Sequence, residues 1–176
     1  MVIIWINGPF GVGKTAVTTH LLQVRPSLAV FDTEQIGVLV RGTMQGRIPV
    51  TDFQDWVSWR QLVVAALDEI SAELGCDVVV PQTVVVEQYW QEIVAGLSQR
   101  SVALRAFTLN VAQGEHERRI QSDHADAEAA GWRRERRSDF HAALPWLGNT
   151  TTLIDTTGKS PREIADAIDR HVATSR

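Results

Sequence analysis

The chain has 176 residues, one cysteine and a formal net charge of −4 at pH 7. Domains of about 150 residues bury close to 70% of their unfolded surface, so we expect residues 1–176 to form a single domain. The acidic balance argues against a nucleic-acid backbone or an anionic membrane as the main partner. Cys76 cannot form an intrachain disulfide and the N-terminus has no basic, long apolar leader, which favours a cytoplasmic location.

The first predicted strand, Val2 to Ile6, runs directly into a glycine-rich loop. Residues 8 to 15 read G-P-F-G-V-G-K-T, the phosphate-binding pattern G-x-x-x-x-G-K-[ST]. In this pattern backbone N–H groups face the phosphates, the lysine supplies a charge, and the threonine hydroxyl is a ligand for Mg²⁺. A turn that only joins a strand to a helix is the alternative. The flanking strand and helix favour a nucleoside triphosphate bound by Gly8, Pro9, Phe10, Gly11, Val12, Gly13, Lys14 and Thr15.

The second predicted strand, Leu28 to Phe31, ends in the acidic sequence Asp32-Thr33-Glu34. Parallel sheets bind their ligands at the carboxyl ends of strands, so we expect Asp32 to accept a proton from a substrate hydroxyl or to hold a Mg²⁺ water. Glu34 would orient the substrate. The alternative is that Asp32 caps a helix and Glu34 lies in its first turn.

The third predicted strand is Val78 to Val80. A helix is expected before it, from Trp56 to Leu74, and another after it, around 90 to 97. The strand runs into Pro81-Gln82-Thr83 and not into the acidic residue that motor and transport ATPases carry there. This absence favours a small-molecule kinase, with Gln82 and Thr83 as substrate contacts or, alternatively, as turn residues.

An arginine-rich segment, residues 114 to 141, follows the fourth predicted strand at 102 to 109. We expect it to form a lid whose Arg119 approaches the transferring phosphoryl group and, with Lys14 and Asp32, takes part in catalysis. Arg133, Arg134, Arg136 and Arg137 lie in the same segment. The alternative is a solvated helix with an ion pair between Glu115 and Arg119.

The fifth predicted strand, Thr151 to Ile154, precedes a loop in which Gly158 and Lys159 are expected beside the nucleotide base. Ser160, Pro161 and Glu163 then form the N-cap, first residue and capping box of a last helix. This helix is expected to dock on the sheet, with weak peripheral membrane association as the alternative. Alternating strands and helices predict a three-layer α/β P-loop NTPase fold with five mostly parallel strands.

Several segments together resemble the tunicamycin-resistance ATP-binding proteins. They are I-I-W-I-N-G-P-F-G-V-G-K-T at the start, D-F-Q-D-W at 52–56, W-R at 59–60, V-P-Q-T at 80–83 and E-Q-Y-W-Q-E-I at 87–93. That family is similar in fold to nucleotide, shikimate and chloramphenicol kinases, which implies ATP at the glycine-rich loop. It also implies resistance to a nucleoside antibiotic that carries uracil, sugars and a fatty acyl chain.

An amphipathic pocket would suit such an antibiotic. The residues that the resemblance places there are Asp52, Asp55, Trp56, Trp59, Arg60, Gln88 and Tyr89, and the tryptophans also fit the core face of their helix. Related kinases often carry two lid arginines four residues apart. Here the residue four positions after Arg119 is an aspartate, Asp123. Phosphoryl transfer to a small molecule and ATP-dependent sequestration of the drug without transfer therefore both remain open.

Overall fold

A computed structural model describes residues 1–122 and 130–174, with side chains described outside 120–137 and the two C-terminal residues. In these residues five parallel strands form one sheet. The strands are Val2–Asn7 (β1), Ala29–Val30 (β2), Val78–Val80 (β3), Ala103–Asn110 (β4) and Thr152–Asp155 (β5). The order is β2-β3-β1-β4-β5, so β1 is the central strand. The predicted α/β fold with its five-stranded parallel sheet is confirmed.

Helices connect the strands and cover both faces of the sheet. They are Lys14–Val24 (α1), Thr33–Met44 (α2), Val57–Leu74 (α3), Glu87–Gln99 (α4), Gln113–Ser122 (α5), Ala130–Thr150 (α6) and Pro161–Thr174 (α7), with a single 3₁₀ turn at Phe53–Asp55. None of the described helices is long and apolar enough to cross a membrane.

Alternation along β1 divides the core into two halves. Ile4 and Ile6 face α1 and α7 in one cluster, whereas Ile3 and Trp5 face α3 and α4 in the other. All four side chains are fully buried, as expected for a central strand covered on both faces. Because the strands are parallel, the loops that follow them meet at one edge of the sheet, and these loops contain the glycine-rich segment, Asp32, Gln82, Thr83, Gly158 and Lys159.

The last helix begins as its sequence predicts. The backbone N–H of Ser160 donates to the carboxylate of Glu163 at 2.8 Å, and the N–H of Glu163 donates to the Ser160 hydroxyl at 3.3 Å. This reciprocal pair is a capping box, and it satisfies two N–H groups that the first turn leaves without helical partners. Ile164, Ile168 and Val172 then pack the helix against the sheet.

The arginine-rich segment contains the helix α5 and the first half of α6. Arg119 lies on α5, and its side chain is described. The side chains of Arg133, Arg134, Arg136 and Arg137, and Asp123 altogether, lie outside the part of the chain that the structure describes. Beyond them, Phe140, Ala143 and Leu147 bury the apolar face of α6.

Candidate active site

The loop between β1 and α1 depends on glycine for two different reasons. Gly8, Gly11 and Gly13 have φ angles of 153°, 76° and 105°, which side-chain-bearing residues rarely adopt. At Gly8 a methyl group would also lie 2.9 Å from Cγ1 of Val12 and 3.0 Å from the Leu109 carbonyl oxygen. Gly13 has no such neighbour within 4 Å, so its glycine is needed for the backbone turn and not for space.

The Lys14 side chain folds back over its own loop. Its ammonium donates to the carbonyl oxygens of Gly8 at 2.9 Å and Pro9 at 3.1 Å, and it lies 5.3 Å from the centre of the Phe10 ring. Burial lowers the pKa of Lys14 to about 7, and the negative charge of Glu34 acts in the opposite direction. A phosphate group at the loop would offer this ammonium a stronger partner than two neutral carbonyls.

Thr15 is the second residue of α1, and it is exposed at the end of the loop. The N-terminus of a helix carries roughly half a positive charge, which suits an anion at this position. Among the described residues, no group of three His, Cys, Asp or Glu side chains could hold a metal ion without further ligands. The Thr15 hydroxyl therefore fits a Mg²⁺ ion that takes its remaining ligands from phosphate oxygens and water.

Asp32 caps helix α2. Its two carboxylate oxygens accept hydrogen bonds from the Glu34 N–H at 2.9 Å and from the Gln35 side chain at 3.1 Å. The capping alternative is therefore present in the structure. The carboxylate can accept further hydrogen bonds, because it has about four lone-pair positions and Asp32 is exposed. Its predicted catalytic and metal-water roles stay predictions.

The loop after β3 is hydrogen-bonded to the phosphate loop. The Thr83 hydroxyl donates to the Gly8 carbonyl at 2.6 Å. Asn7, fully buried at the end of β1, accepts from the N–H groups of Gly8 at 2.8 Å and Val84 at 3.1 Å. The Gln82 side chain accepts from the Thr33 hydroxyl at 2.7 Å and is nearly buried. Of the two predicted substrate contacts, Thr83 thus joins this loop to the phosphate loop, and Gln82 joins it to the start of α2.

A short turn, the 3₁₀ helix at 53–55, presents two of the predicted substrate carboxylates. Asp52 caps the turn by accepting from the Gln54 N–H at 3.0 Å. Asp55 accepts from the Tyr89 hydroxyl on α4 at 3.0 Å. Burial raises the pKa of the Tyr89 phenol, and the hydrogen bond to Asp55 raises it further. Tyr89 is therefore a neutral donor at physiological pH.

Arg60, like Gln82 among the predicted substrate residues, is buried, with 4% of its surface exposed. Its guanidinium donates to the Glu92 carboxylate at 2.5 Å and to the Gln54 carbonyl, and it stacks 4.1 Å from the Tyr89 ring. Trp56 and Trp59 are buried as well, and their indole N–H groups donate to the carbonyls of Ile48 and Thr33 at 3.1 Å. The core interpretation of both tryptophans is the one that the structure supports.

Helix α5 is hydrogen-bonded to the phosphate loop through Arg119. The Arg119 guanidinium donates to the Val12 carbonyl at 3.0 Å and the Thr156 carbonyl at 3.1 Å, and it pairs with Glu115. Arg119 thus forms the i,i+4 ion pair of the helix alternative, and it also contacts the phosphate loop that a lid residue would approach. Its catalytic role stays a prediction.

The loop after β5 contacts Glu115, the ion-pair partner of Arg119. The Gly158 N–H donates to the Glu115 carboxylate at 2.9 Å, and this hydrogen bond is the main reason that the pKa of Glu115 is lowered. Lys159 donates to the Asp155 carbonyl at 2.8 Å. The predicted contacts of Gly158 and Lys159 with the base remain predictions.

The sequence did not single out Asn7, Gln54 or His116. His116 is 2% exposed, and its Nε2 lies 2.6 Å from the Phe10 carbonyl oxygen. Asn7 could have been found as a polar residue that ends an apolar strand directly before the glycine-rich loop. Gln54 and His116 gave no comparable signal, because their partners are 29 and 106 residues away in the sequence.

A family described as the AAA domain matches residues 3–143, which contain the phosphate loop, the 3₁₀ turn at 53–55 and α5. The chain belongs to this family. The glycine-rich loop, the buried parallel sheet and the lysine at the start of α1 are thus parts of a nucleotide-binding P-loop domain of the kinase-like type.

Solved structures agree with the family. The tunicamycin resistance protein of Deinococcus radiodurans is similar, with 29% identity, a TM-score of 0.77, and coverage of 97% of this chain and 95% of that chain. The shikimate kinase of Acinetobacter baumannii in complex with shikimate has 16% identity and a TM-score of 0.62, over 100% and 95% of the two chains. No curated protein matches. The resemblance predicted from sequence segments is confirmed.

A more distant structure shares the fold and contains a nucleotide analogue. It is the APS kinase of Mycobacterium tuberculosis in complex with AMPPNP and APS, with 14% identity, a TM-score of 0.56, and coverage of 98% and 97% of the two chains. The fold of this chain is thus that of P-loop kinases acting on small molecules.

Proposed function

We propose that this protein is an ATP-dependent phosphotransferase that acts on a nucleoside antibiotic such as tunicamycin. The observation that carries the proposal is the hydrogen-bonded connection between the phosphate loop, which contains Lys14, and the turn that presents Asp52 and Asp55, through Thr83 and Gln54. The similarity to the tunicamycin resistance protein supports the choice of acceptor.

The reaction is an in-line transfer. The acceptor hydroxyl oxygen bonds to the γ-phosphorus of ATP, the bond from that phosphorus to the β–γ bridging oxygen breaks, and ADP leaves. Lys14 neutralises charge on the β- and γ-phosphates, and Asp32 takes up the hydroxyl proton. Mg²⁺, held by Thr15 and by a water on Asp32, would offset the negative charge of the triphosphate.

Substrate binding is assigned to polar residues outside the phosphate loop. Glu34 and Asp52 offer carboxylates to sugar hydroxyls, and Tyr89 offers an aromatic face beside Asp55. Gln82, hydrogen-bonded to Thr33, and Thr83, hydrogen-bonded to Gly8, are further substrate contacts in this proposal. Arg119 takes part in catalysis when it leaves Glu115 for the phosphoryl group.

A second candidate function is sequestration of the drug by an ATP-bound protein without transfer. The contacts of Arg119 favour it, because the guanidinium is engaged with Glu115 and with the carbonyls of Val12 and Thr156. Each contact would have to be broken before Arg119 could stabilise a transferring phosphoryl group.

The production of ADP distinguishes the two functions. A phosphotransferase releases ADP in proportion to the drug added, and continues over many turnovers. A sequestering protein binds ATP and drug stoichiometrically and releases none. A coupled ADP assay at a tenfold excess of tunicamycin over protein, with Lys14→Ala as the background, decides between them.

A further inference from the structure

Arg60 is buried between two helices, and its position suggests a function other than touching the substrate. The guanidinium is held by Glu92 on α4, by the Gln54 carbonyl in the 3₁₀ turn and by the face of Tyr89. We propose that Arg60 is a positioning residue: through Gln54 and Thr83 it holds the phosphate loop in its nucleotide-binding shape. The proposal rests on the proposed function only in requiring that the loop binds ATP.

The first step of this connection lies in the turn. Arg60 accepts no hydrogen bond, because a guanidinium has only donors, and one of these fixes the backbone carbonyl of Gln54. With its backbone fixed, Gln54 extends its side-chain amide to the Thr83 carbonyl at 2.9 Å. The Gln82 side chain donates to the same carbonyl at 3.1 Å. The Thr83 backbone is therefore held by two amides.

The second step passes from Thr83 to the loop. The Thr83 hydroxyl donates to the Gly8 carbonyl at 2.6 Å, and Lys14 donates to the same oxygen at 2.9 Å. When Lys14 moves to a phosphate, Thr83 remains as the donor to this carbonyl. A carbonyl that turned toward the phosphates would repel them, so the Thr83 hydroxyl keeps the oxygen directed away from the anion.

The connection predicts an effect at a distance from the nucleotide. Gln54→Met removes the amide donor and keeps the backbone carbonyl that Arg60 uses. Thr83→Val removes the hydroxyl and keeps the branched shape. Because each variant loses one hydrogen bond, each is expected to bind the ATP analogue AMPPNP roughly two- to tenfold more weakly.

A double variant separates positioning from general damage. If Gln54 acts through Thr83, the Gln54→Met, Thr83→Val protein loses no more affinity than Thr83→Val alone, since the second change removes a connection that is already broken. Independent damage would multiply the two effects. Thr83→Ser, which keeps the hydroxyl, is expected to restore most of the affinity.

Arg60→Lys tests the first residue of the connection. Lysine keeps the charge opposite Glu92 but lacks the planar fork that reaches two acceptors together, so we expect a loss of affinity similar to that of Gln54→Met. Arg100→Ala is the matched control, because Arg100 also joins α3 and α4, through Asp68 at 3.5 Å, but is far more exposed. It should leave AMPPNP affinity unchanged.

The experiment is isothermal calorimetry with AMPPNP and Mg²⁺ on all six proteins and the wild type, with thermal unfolding of each. The proposal predicts weaker binding in Gln54→Met and Arg60→Lys at nearly unchanged melting temperature, and non-additivity in the double variant. Wild-type affinity in a folded Gln54→Met protein, or multiplied effects in the double variant, would overturn it. Failure of the wild type to bind AMPPNP would instead refute nucleotide binding, and drug-dependent ADP release plays no part in this test.

Discussion

The ammonium of Lys14 lies 2.9 Å from the carbonyl oxygen of Gly8, at the start of the loop that Lys14 itself completes. The loop thus uses its own lysine as a hydrogen-bond donor to the carbonyls of Gly8 and Pro9. Binding of ATP exchanges these neutral acceptors for anionic ones, which form stronger hydrogen bonds. Several properties of the protein should follow from this exchange.

Lys14→Ala should abolish measurable ATP binding or turnover, because no other described side chain of the loop carries a positive charge. A charge-assisted hydrogen bond contributes about 1.5 to 3 kcal/mol, so affinity should fall at least tenfold. Equilibrium binding of a fluorescent ATP analogue measures the loss. An unchanged dissociation constant would show that nucleotide binds elsewhere.

Binding of ATP above pH 7 should take up a proton. The pKa of Lys14 in the free protein is lowered to about 7, and phosphates will raise it, so at pH 8 a lysine that is largely neutral must be protonated on binding. Affinity should fall by up to about tenfold per pH unit above 7. Calorimetry in two buffers of different ionisation enthalpy counts the protons, and Lys14→Arg, always charged, should show no uptake from this residue.

The same shift affects the stability of the nucleotide-free protein. The folded pKa of Lys14 is about 7 and the unfolded value is 10.5, so between these values the unfolded chain binds more protons and stability rises with pH. Below pH 7 the cost of the buried charge is fully present. Urea unfolding from pH 6 to 10 should show this rise, and Lys14→Met should flatten it.

Asp32→Asn should spare ATP binding and remove transfer. Asparagine still caps a helix well, so α2 keeps its N-terminus, but the amide cannot accept the hydroxyl proton. General-base catalysis contributes about 10²- to 10⁴-fold, and kcat should fall accordingly. Asp32→Ala should also lose the cap, about 1 kcal/mol of stability. Unchanged turnover in Asp32→Asn would show that Asp32 is only a cap.

Arg119→Met tests whether α5 supports the loop or enters the reaction. Because Arg119 ties the Val12 carbonyl to Thr156, the variant should bind ATP several-fold more weakly, and the catalytic hypothesis adds a separate fall in kcat. The exposed Arg118→Met is the control. Steady-state kinetics over a range of ATP concentrations separates the two effects, and wild-type values of both KM and kcat would contradict each role.

Gly37→Ala should displace the 3₁₀ turn at 53–55. A methyl group at Gly37 would lie 2.9 Å from the Phe53 ring, and overpacking of this kind costs about 1 to 3 kcal/mol. Gly42→Ala, on the same helix with nothing within 4 Å, should stabilise the protein by about 0.5 to 1 kcal/mol. Urea denaturation compares them. Equal stabilities would mean that α2 moves freely against the turn.

The predictable part of the fold is the part with local signals. The run from Val2 into the glycine-rich loop, and the Ser160 and Glu163 capping box, are patterns within a few residues, and both are found as expected. Helix α2 was less visible because its cap, Asp32, has an equally good functional interpretation. Helix α6 contains Pro145, which usually indicates a helix end.

Patterns in the sequence locate the glycine-rich loop, but they do not contain the hydrogen bonds between the side chains around it. Arg60 follows Trp59 in a segment that suggested a drug pocket, yet it is buried against Glu92, 32 residues away in the sequence. Whether an arginine faces a ligand or a carboxylate depends on how α3 packs on α4. Single-sequence patterns do not contain that packing.

Phosphoryl transfer changes the mass of the drug, so mass spectrometry of the drug after incubation tests this reaction most directly. Pure protein is incubated with ATP, Mg²⁺ and tunicamycin, and the drug is analysed by mass spectrometry with Lys14→Ala in parallel. We expect tunicamycin to carry one added phosphoryl group after incubation with the wild type and none after incubation with the variant. Unmodified drug from a wild-type protein shown to be saturated with both ligands would contradict it.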